Sequence, residues 1–165
     1  MHYDLTYIGE TPTARNEAIA AARSNQLVAL VRTAPILERL FHEPLETWTF
    51  QRETHWNDLR RQFVMHEQRV ADELARWGGD LFEGHVVDCD DCSVSVSGRS
   101  GQRVDLETKQ ICHHCTTPVK IPGWLRAEVP QILPLGQLSR LTTLPQRILI
   151  EGSGVAALRT AVIMA

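Results

Sequence analysis

The four cysteines of the sequence form two Cys-x2-Cys pairs, and thiols at this spacing are typical ligands of a zinc ion. The two pairs are separated by 19 residues, which is within the range of zinc ribbons. Such pairs can supply four thiolates in a tetrahedron, and the bound metal ion keeps them deprotonated. One hypothesis is therefore a zinc site with the ligands Cys89, Cys92, Cys112 and Cys115, for which His113 and His114 are alternatives.

The aspartates around the first pair allow a structural interpretation of the same segment. Asp88, Asp90 and Asp91 are residues that favour the turn of a β-hairpin. Neither cysteine pair opens a helix in a strand-helix-strand context, which makes a thioredoxin-like redox pair the less favoured alternative. The metal site and the hairpin turn both stay open at this point.

A glycine-rich turn near the end of the sequence matches the dinucleotide fingerprint G-x-G-x-x-G/A. It comprises Gly152, Ser153 and Gly154 and continues to Ala157, and the segment Arg147–Glu151 before it predicts a strand. In such a turn the glycines let the backbone approach a pyrophosphate, and the following helix presents free N–H groups to it. The sequence has no acidic residue about 20 positions later to bind a ribose. We therefore favour a structural role for this turn over a complete nucleotide site.

A second, less complete version of this turn lies near the start of the sequence. The segment from Gly9 to Ala14 retains the first glycine and a small third residue, but Thr11 stands at the second glycine position. A β-branched side chain there would crowd a pyrophosphate, and Glu10 would add a negative charge beside the phosphates. If a dinucleotide binds at this turn, the residues that shape its pyrophosphate site are Gly9, Pro12 and Ala14.

The segments around this first turn predict a strand-helix-strand unit. A β-prone run, Leu5–Ile8, leads into the turn, and the segment Ala14–Arg23 after it is rich in alanine, the best helix former. The continuous apolar run Leu27–Val31 is typical of a strand that is buried on both faces of a parallel sheet. Arg32 follows this run and could either bind a phosphate or be a solvated strand end.

The rest of the sequence predicts a long helix and an antiparallel β-meander. Apolar residues recur at helical spacing from about Glu53 to Trp77, and three short strands with tight turns follow in the segment 84–107. We therefore predict an α/β chain with a Rossmann-like parallel sheet, flanking helices and this meander. The main domain would span residues 1–145, and residues 146–165 would be the truncated start of a second dinucleotide-binding domain.

The composition is that of an ordinary globular protein. The 165 residues are 43% hydrophobic and 22% charged, with a net charge of −3. No basic patch and no apolar stretch of roughly 20 residues is present, so we expect neither nucleic acid nor a membrane as a partner. The N-terminus has no signal-peptide pattern, so the expected location is the cytoplasm, where cysteines stay reduced.

The parts described above follow one another in the same order as in the FAD-dependent pyridine nucleotide-disulfide oxidoreductases, which the sequence therefore resembles. Within this family, the resemblance is strongest to the soluble pyridine nucleotide transhydrogenases. The resemblance covers nearly the whole chain through four segments, Tyr3–Val31, Ala71–Gly84, Ile111–Pro118 and Arg147–Ala157. It implies an FAD/NAD(P)-binding fold with oxidoreductase activity. FAD would lie at the first turn with Thr116 nearby, and NAD(P) would lie at the turn formed by Gly152, Ser153 and Gly154.

Departures from the family pattern limit what the resemblance implies. The family carries two redox cysteines soon after the second strand, but here Arg32 and Thr33 pass directly to Ala34, and no cysteine precedes Cys89. Disulfide exchange of the family type is therefore excluded, and no catalytic residue is assigned. Thr116 also replaces a glycine in the loop that passes close to the flavin, and most of the NAD(P) domain is absent from the sequence.

Three hypotheses about function stay open. The first is a flavoprotein-like dinucleotide-binding domain, related to NAD(P)-dependent oxidoreductases, with weakened or lost catalysis. The second is a non-enzymatic scaffold that binds zinc through the two cysteine pairs, and the third is an inactive, truncated remnant. Because the last predicted strand and helix lack their usual cover, we also expect a homo-oligomer.

Overall fold

The structure, a computed structural model, describes residues 1–34, 39, 56–98, 100–114 and 132–164 of the chain. These residues belong to two units. The first unit combines Met1–Pro35 with Met65–Thr116, and the second combines Ile36–Val64 with Thr117–Ala165. All the described strands lie in the first unit.

A strand, a helix and a second strand open the first unit. β1 (His2–Gly9) leads to α1 (Pro12–Arg23), whose N-cap residue Thr11 accepts a hydrogen bond from the Ala14 backbone N–H at 3.2 Å. The buried strand β2 (Val28–Arg32) then pairs with β1 in parallel. A parallel pair of consecutive strands requires a crossover connection, and the alanine-rich helix supplies it. The predicted strand-helix-strand unit is therefore confirmed.

The long predicted helix is also present, as α2 (Trp56–Arg76). It contributes residues to both units, and in the first of them Val70 and Leu74 join the buried cluster around the alanines of α1. Beyond its end, Gly78 has a φ of 78°, and the Gly79 N–H donates to the Leu74 carbonyl at 3.0 Å. A residue in this left-handed conformation is a common way to end a helix.

Three further strands complete the sheet, and two of them extend beyond the segment 84–107 that was predicted as the meander. They are β3 (Asp80–Cys89), β4 (Ser93–Gly98) and β5 (Arg103–His114). The first part of β3 pairs in parallel with β2, and its second part pairs antiparallel with β4. In the same way, β5 pairs first with β4 and then runs in parallel beside β1 as far as His114.

The double pairing of β3 and β5 closes the sheet. The strands follow one another around a closed barrel in the order β1-β2-β3-β4-β5, with β5 returning to β1. We predicted a Rossmann-like parallel sheet and a meander beside it. The observed fold differs because β3 and β5 each take part in the parallel pairing with one segment and in the antiparallel pairing with another. The mixed α/β class and the parallel pairing of β1, β2, β3 and β5 agree with the prediction.

Two buried clusters lie on opposite faces of the parallel strands. Tyr7 and Leu30 face the cluster that includes the alanines of α1, whereas Ile8 and Val31 face a cluster completed by Leu106 and other side chains of β4 and β5. Neighbouring residues of one strand thus point to different clusters, as the alternation of side chains in a strand requires. Both faces are covered, which explains why β2 is apolar at consecutive positions.

The second unit has its own cluster, formed where Trp56, Phe63 and Ile163 pack together. Its described elements after residue 131 are a 3-10 helix (Leu135–Arg140) and α3 (Val155–Met164). The predicted strand Arg147–Glu151 is wrong: this segment is irregular, with Leu149 95% exposed, and it pairs with no described strand. A strand needs a partner for its backbone hydrogen bonds, and an apolar run alone does not supply one. The predicted domain boundary after residue 145 stays a prediction.

Candidate functional site

Three parallel strands end at the same edge of the first unit, which we call the carboxyl edge. It comprises the turn Gly9–Thr11 after β1, the segment Arg32–Ala34 at the end of β2, and the last residues of β5, His113 and His114. In α/β proteins ligands bind beyond the carboxyl ends of parallel strands. The carboxyl edge is therefore the place to look for a site, and the predicted residues Gly9, Pro12 and Ala14 lie at it.

Gly9 is required at this edge by the approach of β5. Its φ is 153°, and a Cβ atom built on it would lie 2.4 Å from the carbonyl oxygen of His114. Ala14 is completely buried, and Pro12 is half-buried at the first position of α1. The small residues of this turn are thus explained by packing within the chain, without a ligand.

The side chain of Glu10 spans the distance between the ends of β1 and β2. One of its carboxylate oxygens accepts hydrogen bonds from the backbone N–H and the hydroxyl of Thr33, the latter at 2.9 Å. The same oxygen accepts from the Ala34 N–H at 2.8 Å, and the residue is only 5% exposed. A buried carboxylate is therefore held between the two strand ends by hydrogen bonds to backbone and side chain.

Thr11 also accepts hydrogen bonds from backbone N–H groups, in this case at the N-terminus of α1. Its hydroxyl accepts from the Ala14 N–H at 3.2 Å, and its own carbonyl accepts from the Arg15 N–H at 3.3 Å. In a dinucleotide turn, N–H groups at this helix end point at the pyrophosphate. Here the side chain of the N-cap residue already satisfies one of them.

FAD is the cofactor that the resemblance implies, and the residues of this turn do not fit its pyrophosphate. The position where a glycine would admit the phosphates carries the Thr11 side chain, and a carboxylate lies immediately beside it. Placing two anionic groups together at a buried position is unfavourable. The arrangement of Glu10 and Thr11 satisfies within the chain the polar groups that a dinucleotide would otherwise bind.

The proposal from the sequence that Arg32 is a solvated strand end is wrong, because the residue is buried, and its alternative as a phosphate ligand stays a prediction. Its side chain is 2% exposed and forms an ion pair with Glu67 of α2, with 3.5 Å between Nη1 and Oε2. Sequence reasoning missed Glu67. A signal was available, because Glu67 lies four residues after Phe63 and three before Val70, on the apolar face of the helix.

Two more polar pairs surround the same edge. The Arg15 guanidinium lies 3.0 Å from Nε2 of His66, and Nε2 of His114 lies 3.0 Å from a carboxylate oxygen of Glu17. The His114 ring is also stacked on Tyr7. The cationic groups of the carboxyl edge are thus engaged with residues of the chain itself.

The first cysteine pair lies at the hairpin between β3 and β4. Asp90 organises this turn, since its Oδ1 accepts from the backbone N–H groups of Cys92 and Ser93, at 2.9 Å and 2.6 Å. Burial and the neighbouring aspartates raise the pKa of the Cys89 thiol, and a hydrogen bond with Asp90 raises the pKa of Cys92. The hairpin-turn interpretation of the aspartates is therefore confirmed.

The four predicted zinc ligands are not brought together in the part of the chain that the structure describes. Cys112 packs on the α1 side of β5, where burial and Glu17 raise its pKa. The next residue, His113, points to the other side, where its Nε2 lies 4.0 Å from Cys89 Sγ. The described residues contain no group of three or more potential metal ligands, and Cys115 and Thr116 lie outside them.

The second glycine turn also lacks the geometry of a nucleotide site. Gly152, Ser153 and Gly154 are exposed, and α3 follows them without a strand before them. A Cβ on Gly154 would meet no atom within 4 Å. A helix starts directly after the fingerprint in this chain, and nucleotide binding at this turn stays a prediction.

Among the described residues, no helix combines the length and the apolar character that crossing a bilayer requires.

Comparison with known proteins identifies the fold but no family. No protein-family profile matches the sequence, and no curated protein is significantly similar to it. The Cu(II) complex of the HOCl-induced flavoprotein disulfide reductase RclA from Escherichia coli matches with a TM-score of 0.67 and 18% identity, over 99% of this chain and 40% of that chain. Another structure of this reductase matches with a TM-score of 0.64, also at 18% identity, over 98% of this chain and 39% of its own.

A third solved structure, the myxobacterial FAD-dependent halogenase CndH, has a TM-score of 0.46 at 14% identity, over 72% of this chain and 38% of that chain. The chain therefore shares its α/β fold with a flavoprotein disulfide reductase and spans about 40% of the length of that protein.

Proposed function

We propose that this chain is a flavoprotein-like domain of the dinucleotide-binding type, related to the pyridine nucleotide-disulfide oxidoreductases, with weakened cofactor binding and lost catalysis. The observation that carries the proposal is the fold shared with a flavoprotein disulfide reductase over 99% of the chain. The residues agree with the loss of catalysis, because no cysteine occurs before Cys89 and disulfide exchange needs a pair of thiols.

The weakened binding follows from the turn after β1. The strand, Gly9 and the helix α1 have the order of a dinucleotide-binding turn, which supports the relationship. The side chain of Thr11, however, accepts a hydrogen bond from an N–H of the helix end, and the Glu10 carboxylate places a negative charge in the turn and binds donors at the end of β2. We expect FAD to be lost during purification and to bind only at high concentration.

The proposal is tested with protein purified without added cofactor. We expect no flavin absorbance in the purified protein, a weak but saturable response when FAD is titrated, and competition by ADP. We also expect no oxidation of NADH or NADPH in the presence of FAD and a small disulfide. Flavin retained at one equivalent per chain, or turnover of a disulfide, would show that this proposal is wrong.

A specific contact favours a metal site as the second candidate function. Cys89 Sγ and His113 Nε2 are 4.0 Å apart, and Cys92 lies across the hairpin turn from Cys89. Thiolate and imidazole are the ligands that Zn²⁺ prefers. We propose that a non-enzymatic metal site would start from the pair Cys89 and His113. The described residues include no group of three ligands, so Cys92 would have to move towards this pair when the metal ion binds, and Cys112 would not take part.

Cobalt(II) titration separates this ligand set from the one predicted by spacing. Thiolate-bound cobalt(II) should give charge-transfer absorbance that Cys89→Ser and His113→Ala remove, while Cys112→Ser leaves it unchanged. Loss of the absorbance in Cys112→Ser would return the assignment to the four-cysteine set. If the unmodified chain gives no such absorbance, the metal-binding function is rejected.

A further inference from the structure

We infer that Glu10 acts as an internal anion that closes the carboxyl edge of the first unit to a dinucleotide. The inference deepens the proposed function and rests on it, because it names the residue responsible for weakened cofactor binding. It also assigns a role to a carboxylate that sequence reasoning treated only as an unfavourable charge. In this role, the Glu10 carboxylate accepts the hydrogen bonds that polar groups of the ligand would otherwise accept.

The position of the carboxylate is the first argument. A dinucleotide that lies across such an edge has its pyrophosphate at the turn after the first strand and its ribose at the end of the second strand, about 20 residues later. Glu10 lies in the turn, and its carboxylate oxygen reaches the backbone N–H groups of Thr33 and Ala34. The side chain therefore crosses the crevice that the ligand would have to occupy.

The hydrogen bonds and burial of the carboxylate are the second argument. Three donors converge on one oxygen, and only 5% of the residue is exposed. Hydrogen bonds to a charged group are stronger than those between neutral groups, and leaving such donors without an acceptor is costly. A ligand that displaced Glu10 would have to replace these bonds and also bring its own negative charge to the same place.

Thr11 completes the closure at the end of α1. Its hydroxyl accepts the Ala14 N–H that would otherwise face the phosphates. Thr11 thus satisfies one N–H of the helix end, and Glu10 satisfies the donors at the end of β2, both with side chains of the chain itself.

The experiment compares FAD and ADP binding and thermal unfolding in four proteins. They are the unmodified chain, Glu10→Gln, the double variant Glu10→Gly/Thr11→Gly, and Glu73→Gln as a control at an exposed carboxylate of α2. We expect the double variant to bind FAD at least about tenfold more tightly than the unmodified chain, with Glu10→Gln between them. We also expect both Glu10 variants to unfold at a lower temperature than the control.

Each outcome separates the inference from the proposed function. If every protein binds FAD equally well, Glu10 does not close the edge and the inference is overturned, while the proposed function stands. If none binds FAD but the Glu10 variants lose stability, the carboxylate has a structural role only, and the dinucleotide-binding function is rejected together with the inference. If Glu10→Gln is as stable as the control and binds no ligand, both are rejected.

Discussion

Arg32 and Glu67 show how the environment of a residue overrides its type. Arginine and glutamate are almost never completely buried unless they are paired, and these two are 2% and 5% exposed with 3.5 Å between their charged groups. Removing two charges from water costs free energy that their attraction only partly returns. Such a pair therefore adds little net stability to the fold, although removing one of its partners is costly.

We expect Glu67→Gln to lower the free energy of unfolding by about 3 kcal/mol, because it removes the carboxylate charge that is ion-paired with the buried Arg32. The double variant Arg32→Met/Glu67→Met should be clearly more stable than Glu67→Gln. Urea denaturation at neutral pH measures both. If the double variant loses as much free energy of unfolding as Arg32→Met and Glu67→Met lose in sum, the two residues are not coupled.

The environment of a residue also determines the reactivity of the two thiols in the hairpin between β3 and β4. Only the thiolate is nucleophilic, and burial with the nearby aspartates raises the pKa of Cys89, while the Asp90 hydrogen bond and charge raise that of Cys92. Both cysteines are exposed, but because their pKa values are raised we expect them to react slowly at neutral pH. Asp90 has the opposite perturbation, since hydrogen bonds from Cys92 and Ser93 lower its pKa.

We predict that Asp90→Asn shifts the alkylation of Cys92 to lower pH, because removing the carboxylate lowers the pKa of that thiol. Iodoacetamide labelling between pH 7 and roughly pH 10, followed by mass spectrometry, gives the rate for each cysteine. Cys112 is the internal control, because its raised pKa comes from burial and Glu17. An unchanged rate profile at Cys92 would contradict the assigned cause.

At the scale of elements, the close contact between the turn after β1 and the end of β5 decides which residues can occupy the turn. A side chain at Gly9 would collide with backbone atoms of His114, whereas Gly154 in the second fingerprint has open space around it. The equivalent first glycine of the second turn is Gly152, which also has a positive φ, of 142°, and a Cβ there would lie 3.2 Å from the Ala157 Cβ. The collision with backbone atoms at Gly9 is caused by the contact of its turn with β5.

We expect Gly9→Ala to lower the free energy of unfolding by about 2–5 kcal/mol, through backbone strain at a φ of 153° and the collision with β5. The comparison substitution Gly154→Ala, at an exposed glycine of the second turn with open space around it, should change it by less than about 0.5 kcal/mol. Thermal or urea unfolding of both variants tests the pair. Equal effects would mean that β5 does not pack against the first turn.

At the scale of the whole molecule, the exposed apolar residues of α3 raise the question of what covers them. Val155, Leu158 and Val162 are exposed and spaced by three and four residues, so they lie along one face of the helix. Contiguous exposed apolar side chains of this kind are typical of an interaction surface. We propose that a second copy of the chain covers it, which is the homo-oligomer expected from the sequence.

We predict that the unmodified chain shows a mass above that of a monomer in light scattering at high concentration. Leu158→Glu/Val162→Glu should return it to a monomer, because it places charges on the apolar face of α3. Val87→Glu, at an exposed apolar position of β3, is the control and should have no effect. A monomer at all concentrations would remove the proposal.

The sequence by itself determined the features that depend on neighbouring residues. Alanine content specifies α1, the spacing of apolar residues specifies α2, and the aspartates specify the hairpin at Asp90. The absence of a cysteine before Cys89 is likewise a property of the sequence alone. These features are local, so a short window of sequence carries all the information that they need.

Only the tertiary structure decided which distant residues meet. The parallel pairing of β5 with β1 joins residues about 105 positions apart, and it closes the sheet that was expected to be open. The strand register places Cys112 and His113 on opposite faces of β5, and a shift by one residue would exchange them. The contacts of Glu10 with Thr33 and of Arg32 with Glu67 depend on the same packing. No local pattern encodes them, because each depends on how strands and helices separated along the chain align in space.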